Sequence, residues 1–144
     1  MKNNPLSDAL DFLFHGGWTT VVFWALLLGS VGLALVNLRL DEKQRSAAVV
    51  WNWLARFFIG ALWWQQSLWK LPPSYNGLRF WMGEMAKYAS TGLQQHFVKD
   101  VVLPHFSFFA PQVYLSEVLI AVTLIFGLFS RLGALAGTMM ALNL

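Results

Sequence analysis

The chain has 144 residues, of which 57% are hydrophobic and only 12% are charged, and its formal net charge is +3. Soluble domains carry about 25% charged residues, so this composition argues against a soluble protein and indicates one that lies in a membrane. The basic residues are scattered, which argues against a nucleic-acid partner, and the absence of cysteine excludes disulfides, thiol catalysis and iron–sulfur clusters in this chain. We therefore predict an all-α, polytopic transmembrane helix bundle that forms a single membrane domain over residues 1–144.

The first spanning helix is predicted over residues 17–38. This stretch carries no charge and is long enough to cross about 30 Å of hydrocarbon. A short surface helix is predicted before it, over residues 1–15, because the leucines there keep helical spacing and acidic residues occupy the first turns. The strongly polar run Arg39–Arg45 ends the first span and connects it to the next.

The second span is predicted over residues 47–71. Arg56 lies inside it and Lys70 lies near its end, before Pro72 and Pro73 stop the helix. The two cations are separated by close to four helical turns, so they share a face and lie about 21 Å apart. The other faces are apolar, which suits a helix that turns one narrow polar stripe towards its neighbours in a bilayer.

Two amphipathic helices at the membrane interface are predicted over residues 77–103, between the second and third spans. Each has an apolar stripe at helical spacing with polar residues opposite, which fits an interfacial position better than a further span. The first stripe contains Leu78, Met82 and Met85, and the second contains Leu93, Phe97, Val101 and Val102.

The third span is predicted over residues 111–130, with Pro111 in its first turn. Glu117 falls inside this span, about 9–10 Å from its start. Because the second and third spans run antiparallel, Glu117 and Lys70 are expected near the same interface. We therefore expect Glu117 to pair with Lys70, or with Arg79 from the interfacial segment.

The fourth span is predicted to begin over residues 132–144, which gives about four spans in all. This last stretch is shorter than the roughly 20 residues needed to cross, so we expect either that the chain continues beyond it or that the helix is re-entrant, and we favour the first. Arg131 precedes it and shares a helical face with Glu117. The cations between Arg39 and Arg56, together with Arg131, favour that side as cytoplasmic.

Charged residues within or beside the spans have two interpretations. One is a polar site between helices that holds a quinone head group or an anion, and the other is a set of ties between helices, with Lys70 and Arg131 reaching to the interface. The residues concerned are Arg56, Lys70, Arg79, Glu117 and Arg131. No metal site is predicted, because the histidines lie at predicted interfaces and none faces another within a span.

Two segments resemble the DoxX/DoxD family of membrane proteins. The helix RFFIGALWWQQSLWKL, Arg56–Leu71, resembles the family's opening helix, with its Arg, a Gly four residues later and a closing Lys-Leu. The segment YLSEVLIAVTLIFGLFSRLG, residues 114–133, is similar to its second signature, in which a Glu is followed by Leu, Gly and Arg. Between them, FVKDVVLPHFSFFAPQVYLSE, residues 97–117, is more similar to DoxD than to shorter DoxX proteins. The predicted span over residues 17–38 precedes the family's first helix.

The resemblance implies a compact helix bundle in the prokaryotic cytoplasmic membrane. DoxD is similar to the small subunit of thiosulfate:quinone oxidoreductase, so the resemblance implies a redox-associated subunit that works with a partner subunit and a quinone. The site would be shaped by the five charged residues given above, with Glu117 as a proton relay. The chain carries no cofactor motif of its own, so we do not expect it to be catalytic alone.

A second hypothesis comes from a different class of function. The chain would be a structural accessory subunit of a larger respiratory or photosynthetic membrane complex, and its aromatic outer faces would pack on partner helices, lipids or pigments. The additional first span favours this hypothesis, since it could be the docking element. The experiment that separates the two is the search for thiosulfate-dependent quinone reduction in a preparation from native membranes.

Overall fold

The computed structural model describes residues 10–14 and 17–142, and every regular element in these ranges is helical. The chain is therefore all-α, as predicted. Residues 10–14 are helical, while the rest of the predicted surface helix over residues 1–15 lies outside the described residues. The helices between residues 17 and 142 are α1 (Trp18–Leu40), α2 (Ala47–Ser67), α3 (Asn76–Tyr88), α4 (Gly92–His96), α5 (Phe106–Phe126) and α6 (Ser130–Ala141). They are joined by 3-10 turns at Glu42–Arg45 and Leu68–Lys70 and by a π-helical turn at Phe97–Val102.

The connection between α1 and α2 is compact because its polar side chains satisfy the backbone locally. The carboxylate of Asp41 accepts a hydrogen bond from the Lys43 N–H at 2.9 Å, which closes the turn after α1. The Ser46 hydroxyl then accepts from the Val49 N–H at 3.4 Å and caps the start of α2. The predicted polar connection thus brings α1 and α2 together as antiparallel neighbours.

Helix α5 begins at Phe106, not at Pro111 as predicted. Pro111 lies inside the helix, where its missing N–H removes one backbone hydrogen bond. The helical turn that precedes Pro111 is nevertheless stable, because Phe106 and Ala110 are buried against α3 and against the π-helical turn. Proline often occupies the first turn of a helix. Here the burial of apolar residues before Pro111 extends the helix by more than one turn towards its N-terminus.

Helix α5 also ends earlier than predicted, at Phe126 instead of residue 130. The end is set by Gly127, which has a φ of 81° in the left-handed region and donates its N–H to the Thr123 carbonyl at 2.9 Å. This is the glycine cap that terminates many helices. Helix α6 follows at once from Ser130.

The apolar stripe predicted for the second interfacial helix and the buried residues of this segment overlap only at Val102. Val98 is buried as well, whereas Leu93, Phe97 and Val101 are exposed. The exposed members can face lipid, as an interfacial helix requires, so the interfacial position stays a prediction. The segment also contains a π-helical turn, in which the Leu103 N–H donates to the Val98 carbonyl at 2.9 Å, five residues back. The buried core of this segment, with partners from α3 and α5, is Leu78, Met82, Ala86, Val98, Val102, Phe106 and Ala110.

Helices α2 and α5 form the centre of the bundle and cross where Gly60 lies. A Cβ at Gly60 would lie 2.8 Å from the side chain of Ile125 and 3.1 Å from the carbonyl oxygen of Ala121. Only a residue without a side chain therefore allows this approach, as expected for small residues between membrane helices. Helix α6 packs back in a similar way, since a Cβ at Gly137 would lie 3.2 Å from Ile120.

Helix α1 is attached to this pair by a buried hydrogen-bond chain. The Ser30 hydroxyl donates to the carbonyl oxygen of Ile125 at 2.6 Å, and the indole N–H of Trp53 donates to the Ser30 oxygen at 3.1 Å. One hydroxyl thus connects α1, α2 and α5. It also satisfies a carbonyl of the last turn of α5, which has no partner within its own helix.

Two of these helices, Trp18–Leu40 and Phe106–Phe126, are long and apolar enough to cross a membrane. Helix α2 is not among them, and its interior holds Asn52, Arg56 and a glutamine pair, which lower its mean hydropathy. Helix α6 has only 12 residues in the described part of the chain. The predicted number of four spans therefore stays a prediction.

Candidate functional site

Lys70 is buried at the end of the second predicted span. It closes the 3-10 turn Leu68–Lys70 that follows α2, and only 4% of it is exposed. Its ammonium nitrogen lies 4.3 Å from the centre of the Trp69 ring, a cation–π contact.

The partner of Lys70 is Glu117, which lies in the middle of α5 and is only 1% exposed. The Lys70 Nζ donates to Glu117 Oε1, and the two form a buried ion pair. Of the two partners that antiparallel threading predicted for Glu117, the structure selects Lys70. The pair joins the end of α2 to α5, and removing one member would leave the other charge buried alone.

The ion pair with Lys70 does not use the full hydrogen-bonding capacity of Glu117. Its second oxygen, Oε2, is buried and has no hydrogen-bond partner within residues 10–14 and 17–142. Lys70 has three N–H donors, and the carboxylate takes one of them. The pair therefore retains both an acceptor and donors for another polar group.

A cavity of about 320 Å³ opens beside the pair. This volume lies at the lower end of the ~300–1,000 Å³ typical of ligand pockets. The cavity is lined by Ile59, Leu62, Trp63, Gln66, Lys70, Glu117 and Ala141. Its walls are mainly aliphatic and aromatic, and its polar groups are the ion pair and one amide, so it can hold a flat, apolar ring that carries oxygen substituents.

The other predicted site residues do not join this cavity. Arg79 is exposed on α3, with its guanidinium 5.2 Å from the centre of the Phe106 ring, and Arg131 is exposed at the start of α6. Arg56 lines a separate cavity beside Gly127, just after the C-terminal end of α5, whereas Glu117 lies in the middle of that helix. The five charged residues thus form one buried pair, one separate cation within the bundle and two surface cations.

Gln66 belongs to this site but is not among the predicted site residues, which are all charged. Gln66 lies four residues before Lys70, so helical spacing would have placed it on the same face. Trp63 lies seven residues before Lys70, so helical spacing places it on that face as well, and it lines the cavity. Nothing in the sequence indicates that Ala141 lines the cavity, because its position there depends on how α6 packs against α2 and α5.

Comparison with known proteins identifies a family. A family model named DoxX matches residues 52–143, which include most of α2 and all of α3 to α6. No curated protein and no solved structure matches the chain. Helix α1 precedes the matched region, which agrees with the prediction of an additional N-terminal helix. With this match over well more than half of its length and with apolar helices of membrane-crossing length, the chain belongs to the DoxX family of membrane proteins.

Proposed function

We propose that this protein is a multi-pass subunit of the prokaryotic cytoplasmic membrane that binds the head group of a quinone beside Lys70 and Glu117. The observation that carries the proposal is the buried Glu117 Oε2, which has no hydrogen-bond partner in the described part of the chain and belongs to a residue that lines the cavity. Buried polar atoms in proteins are nearly always hydrogen-bonded. A ligand hydroxyl group would donate a hydrogen bond to this one.

The cavity and a quinone are chemically complementary. A ring carbonyl can accept a hydrogen bond from Lys70, and the hydroxyl of the reduced ring can donate to Glu117 Oε2. Trp63, Ile59 and Leu62 offer apolar surface to the ring, and Gln66 offers an amide. Both oxidation states would therefore find a partner at the same pair.

A bound quinone would supply the capacity to carry two electrons and two protons. Glu117 can hold a proton at Oε2 or return it, while Lys70 keeps the carboxylate in place. The sequence contains no cysteine and no cofactor motif, so electrons would have to enter from a partner subunit. The resemblance to DoxD suggests thiosulfate as their source.

Quinone binding by the purified full chain tests the proposal directly. We expect decylubiquinone to quench tryptophan fluorescence at a saturable site, because Trp63 lines the cavity. Glu117→Gln should weaken this binding about tenfold, the cost of a hydrogen bond to a charged group. Glu84→Gln, at a partly exposed carboxylate on α3 away from the cavity, is the matched control and should leave binding unchanged.

A double variant separates loss of binding from loss of folding. Lys70→Met combined with Glu117→Leu replaces a buried ion pair by apolar groups, a change that proteins often tolerate. We expect it to keep the thermal stability of the parent and to lose quinone binding. Unchanged quinone affinity in a stable double variant would refute the proposal.

An accessory role in a larger membrane complex is the second candidate, and helix α1 favours it. Residues 31–40 of α1 include no buried side chain, so a long apolar surface is left for lipids or a partner. Purification from native membranes distinguishes the two roles. Thiosulfate-dependent quinone reduction that the double variant abolishes supports the redox role, while comigration with a complex whose activity the variant leaves intact supports the accessory role.

A further inference from the structure

Helix α2 carries a row of exposed residues along one side. The row consists of Asn52, Ala55, Ile59, Leu62 and Gln66, and all five are exposed in the described part of the chain. Ile59 and Leu62 are large apolar side chains, and they keep 48% and 46% of their surface exposed. We call these five residues the α2 seam.

The α2 seam points away from the residues that α2 buries. These buried residues are Gly60, Trp64 and Ser67, and Gly60 lies against Ile125 and Ala121 of α5. Successive residues of a helix are rotated by about 100°, so the mean direction of the seam lies about 130° around the helix from that of the buried residues. The packing of α2 on α5 therefore leaves the seam available for another helix.

The spacing along the α2 seam is that of a coiled coil. Its members follow one another at intervals of three, four, three and four residues, a repeat of about 3.5 residues. Asn52, Ile59 and Gln66 take the a positions of the heptad, and Ala55 and Leu62 take the d positions. Two helices with this pattern pack along the seam with a slight left-handed supercoil, as most membrane helix pairs do.

Two amide side chains lie on the seam, and both have unused hydrogen-bonding groups. Asn52 lies about 7–8 Å into α2, and its side chain has no hydrogen bond to any described residue. Gln66 accepts a hydrogen bond from the Trp69 indole N–H at 3.1 Å, and its own N–H donors have no partner among the described residues. In a spanning helix these groups face hydrocarbon, where no water can satisfy them, so a neighbouring helix with polar groups is favoured.

A second copy of this chain supplies the matching groups. Two copies inserted in the same orientation place their α2 helices parallel about a two-fold axis along the membrane normal, so each a position faces its own counterpart. An amide both donates and accepts, so Asn52 can bond to the Asn52 of the other copy, and Gln66 to its counterpart, at two depths. The small side chain of Ala55 allows the two backbones to approach between them. A different partner would need a polar group at both depths.

We propose that the protein forms a parallel homodimer in the membrane through the α2 seam, with Asn52 paired across the two-fold axis. Ile59, Leu62 and Gln66 also line the cavity at the ion pair, so the contact between the copies lies directly beside the proposed quinone site. Asn52 and Ala55 line no part of that cavity. Variants at these two residues therefore test the dimer separately from quinone binding.

Sedimentation equilibrium of the purified full chain, over a range of protein-to-detergent ratios, measures the association. We expect a monomer–dimer equilibrium that Asn52→Leu weakens about tenfold, because the variant loses the hydrogen bonds between the copies. Gln65→Leu removes an exposed amide of α2 that lies off the seam, and it should leave the equilibrium unchanged. A parent chain that stays monomeric at every ratio, or an Asn52→Leu protein that dimerises as well as the parent, would overturn the proposal.

Cysteine crosslinking in membranes tests the seam itself, since the natural chain has no cysteine. Under mild oxidation, Ala55→Cys, Ile59→Cys and Leu62→Cys should each give a disulfide-linked dimer, because a and d positions meet across the two-fold axis. Leu54→Cys and Phe58→Cys, at exposed positions of α2 off the seam, are the matched controls and should stay monomeric. Equal crosslinking at all five positions, or none at the three seam positions, would contradict the proposed contact.

Discussion

At the scale of single residues, the central feature is the burial of two opposite charges. Lys70 and Glu117 are 4% and 1% exposed, and neither could be buried alone without a large loss of hydration energy. Their pairing lowers this cost, but a buried ion pair is weak evidence for a stabilising role. What distinguishes this pair from one that only ties two helices together is Glu117 Oε2, which has no hydrogen-bond partner among the described residues.

A double-mutant cycle on this pair should show strong coupling. We expect Glu117→Leu alone to lower the free energy of unfolding by about 3–5 kcal/mol, because it leaves Lys70 charged and unpaired. Adding Lys70→Met should recover most of the loss. Thermal unfolding in detergent measures both.

An exposed ion pair supplies the control for this cycle. Glu84 and Lys87 on α3 lie 3.8 Å apart with side chains 35% and 61% exposed. Their matched replacements, Glu84→Leu and Lys87→Met, should change stability by less than about 1 kcal/mol. Equal effects at both pairs would contradict the importance of burial.

At the scale of the elements, the presence of the main helices was predictable from the sequence, and several helix ends were not. The uncharged run before Arg39 and the proline pair after Lys70 define α1 and α2 from local chemistry alone. The early start of α5 depends on burial against α3, and the preceding segment forms a π-helical turn in which Val98 and Val102 are buried. Both features depend on tertiary packing, which cannot be deduced from the helical periodicity of the sequence.

The crossing of α2 and α5 should tolerate no side chain at Gly60. A Cβ there meets backbone atoms of α5 at 3.0 and 3.1 Å, so Gly60→Ala must separate the two helices. We expect a loss of about 1–3 kcal/mol in the free energy of unfolding. At Gly83 on α3, nothing lies within 4 Å of the position that a methyl group would take, so Gly83→Ala should stabilise the helix by about 0.5–1 kcal/mol. The reverse order of these two effects in thermal unfolding would disprove the assigned crossing.

The attachment of α1 should depend on the Ser30 hydroxyl. Ser30→Ala leaves the Trp53 indole N–H and the Ile125 carbonyl without their partner, at a cost of about 1–3 kcal/mol. Thr138→Ala on α6 removes an exposed hydroxyl that bonds only within its own helix, and it should have little effect. Limited proteolysis between α1 and α2 should speed up in the first variant and not in the second.

At the scale of the whole molecule, the sequence predicted the pair but not the division of the polar residues into separate places. Antiparallel threading of two helices was enough to bring Lys70 near Glu117. The position of Arg56 in a cavity of its own follows from where α5 ends, which depends on Gly127 adopting a left-handed conformation. Charge alone therefore grouped five residues that the fold divides into one ion pair and three separate cations.

The proposed four-span topology places the turns at defined sides of the membrane, and the natural absence of cysteine makes this easy to measure. Single variants Lys43→Cys, Ser74→Cys and Leu128→Cys probe the α1–α2 connection, the turn after α2 and the turn after α5. In sealed right-side-out vesicles, a membrane-impermeant maleimide should label only the variant at residue 74. Labelling of all three positions would rule out this topology.

Photoaffinity mapping tests the central claim most directly. An azidoquinone should crosslink to α2 between Ile59 and Lys70 and to α5 around Glu117, and an excess of unlabelled decylubiquinone should suppress this labelling. The stable double variant Lys70→Met with Glu117→Leu should show none of it. Crosslinks confined to the Arg56 cavity, or labelling that the double variant keeps, would contradict a quinone site at the buried ion pair.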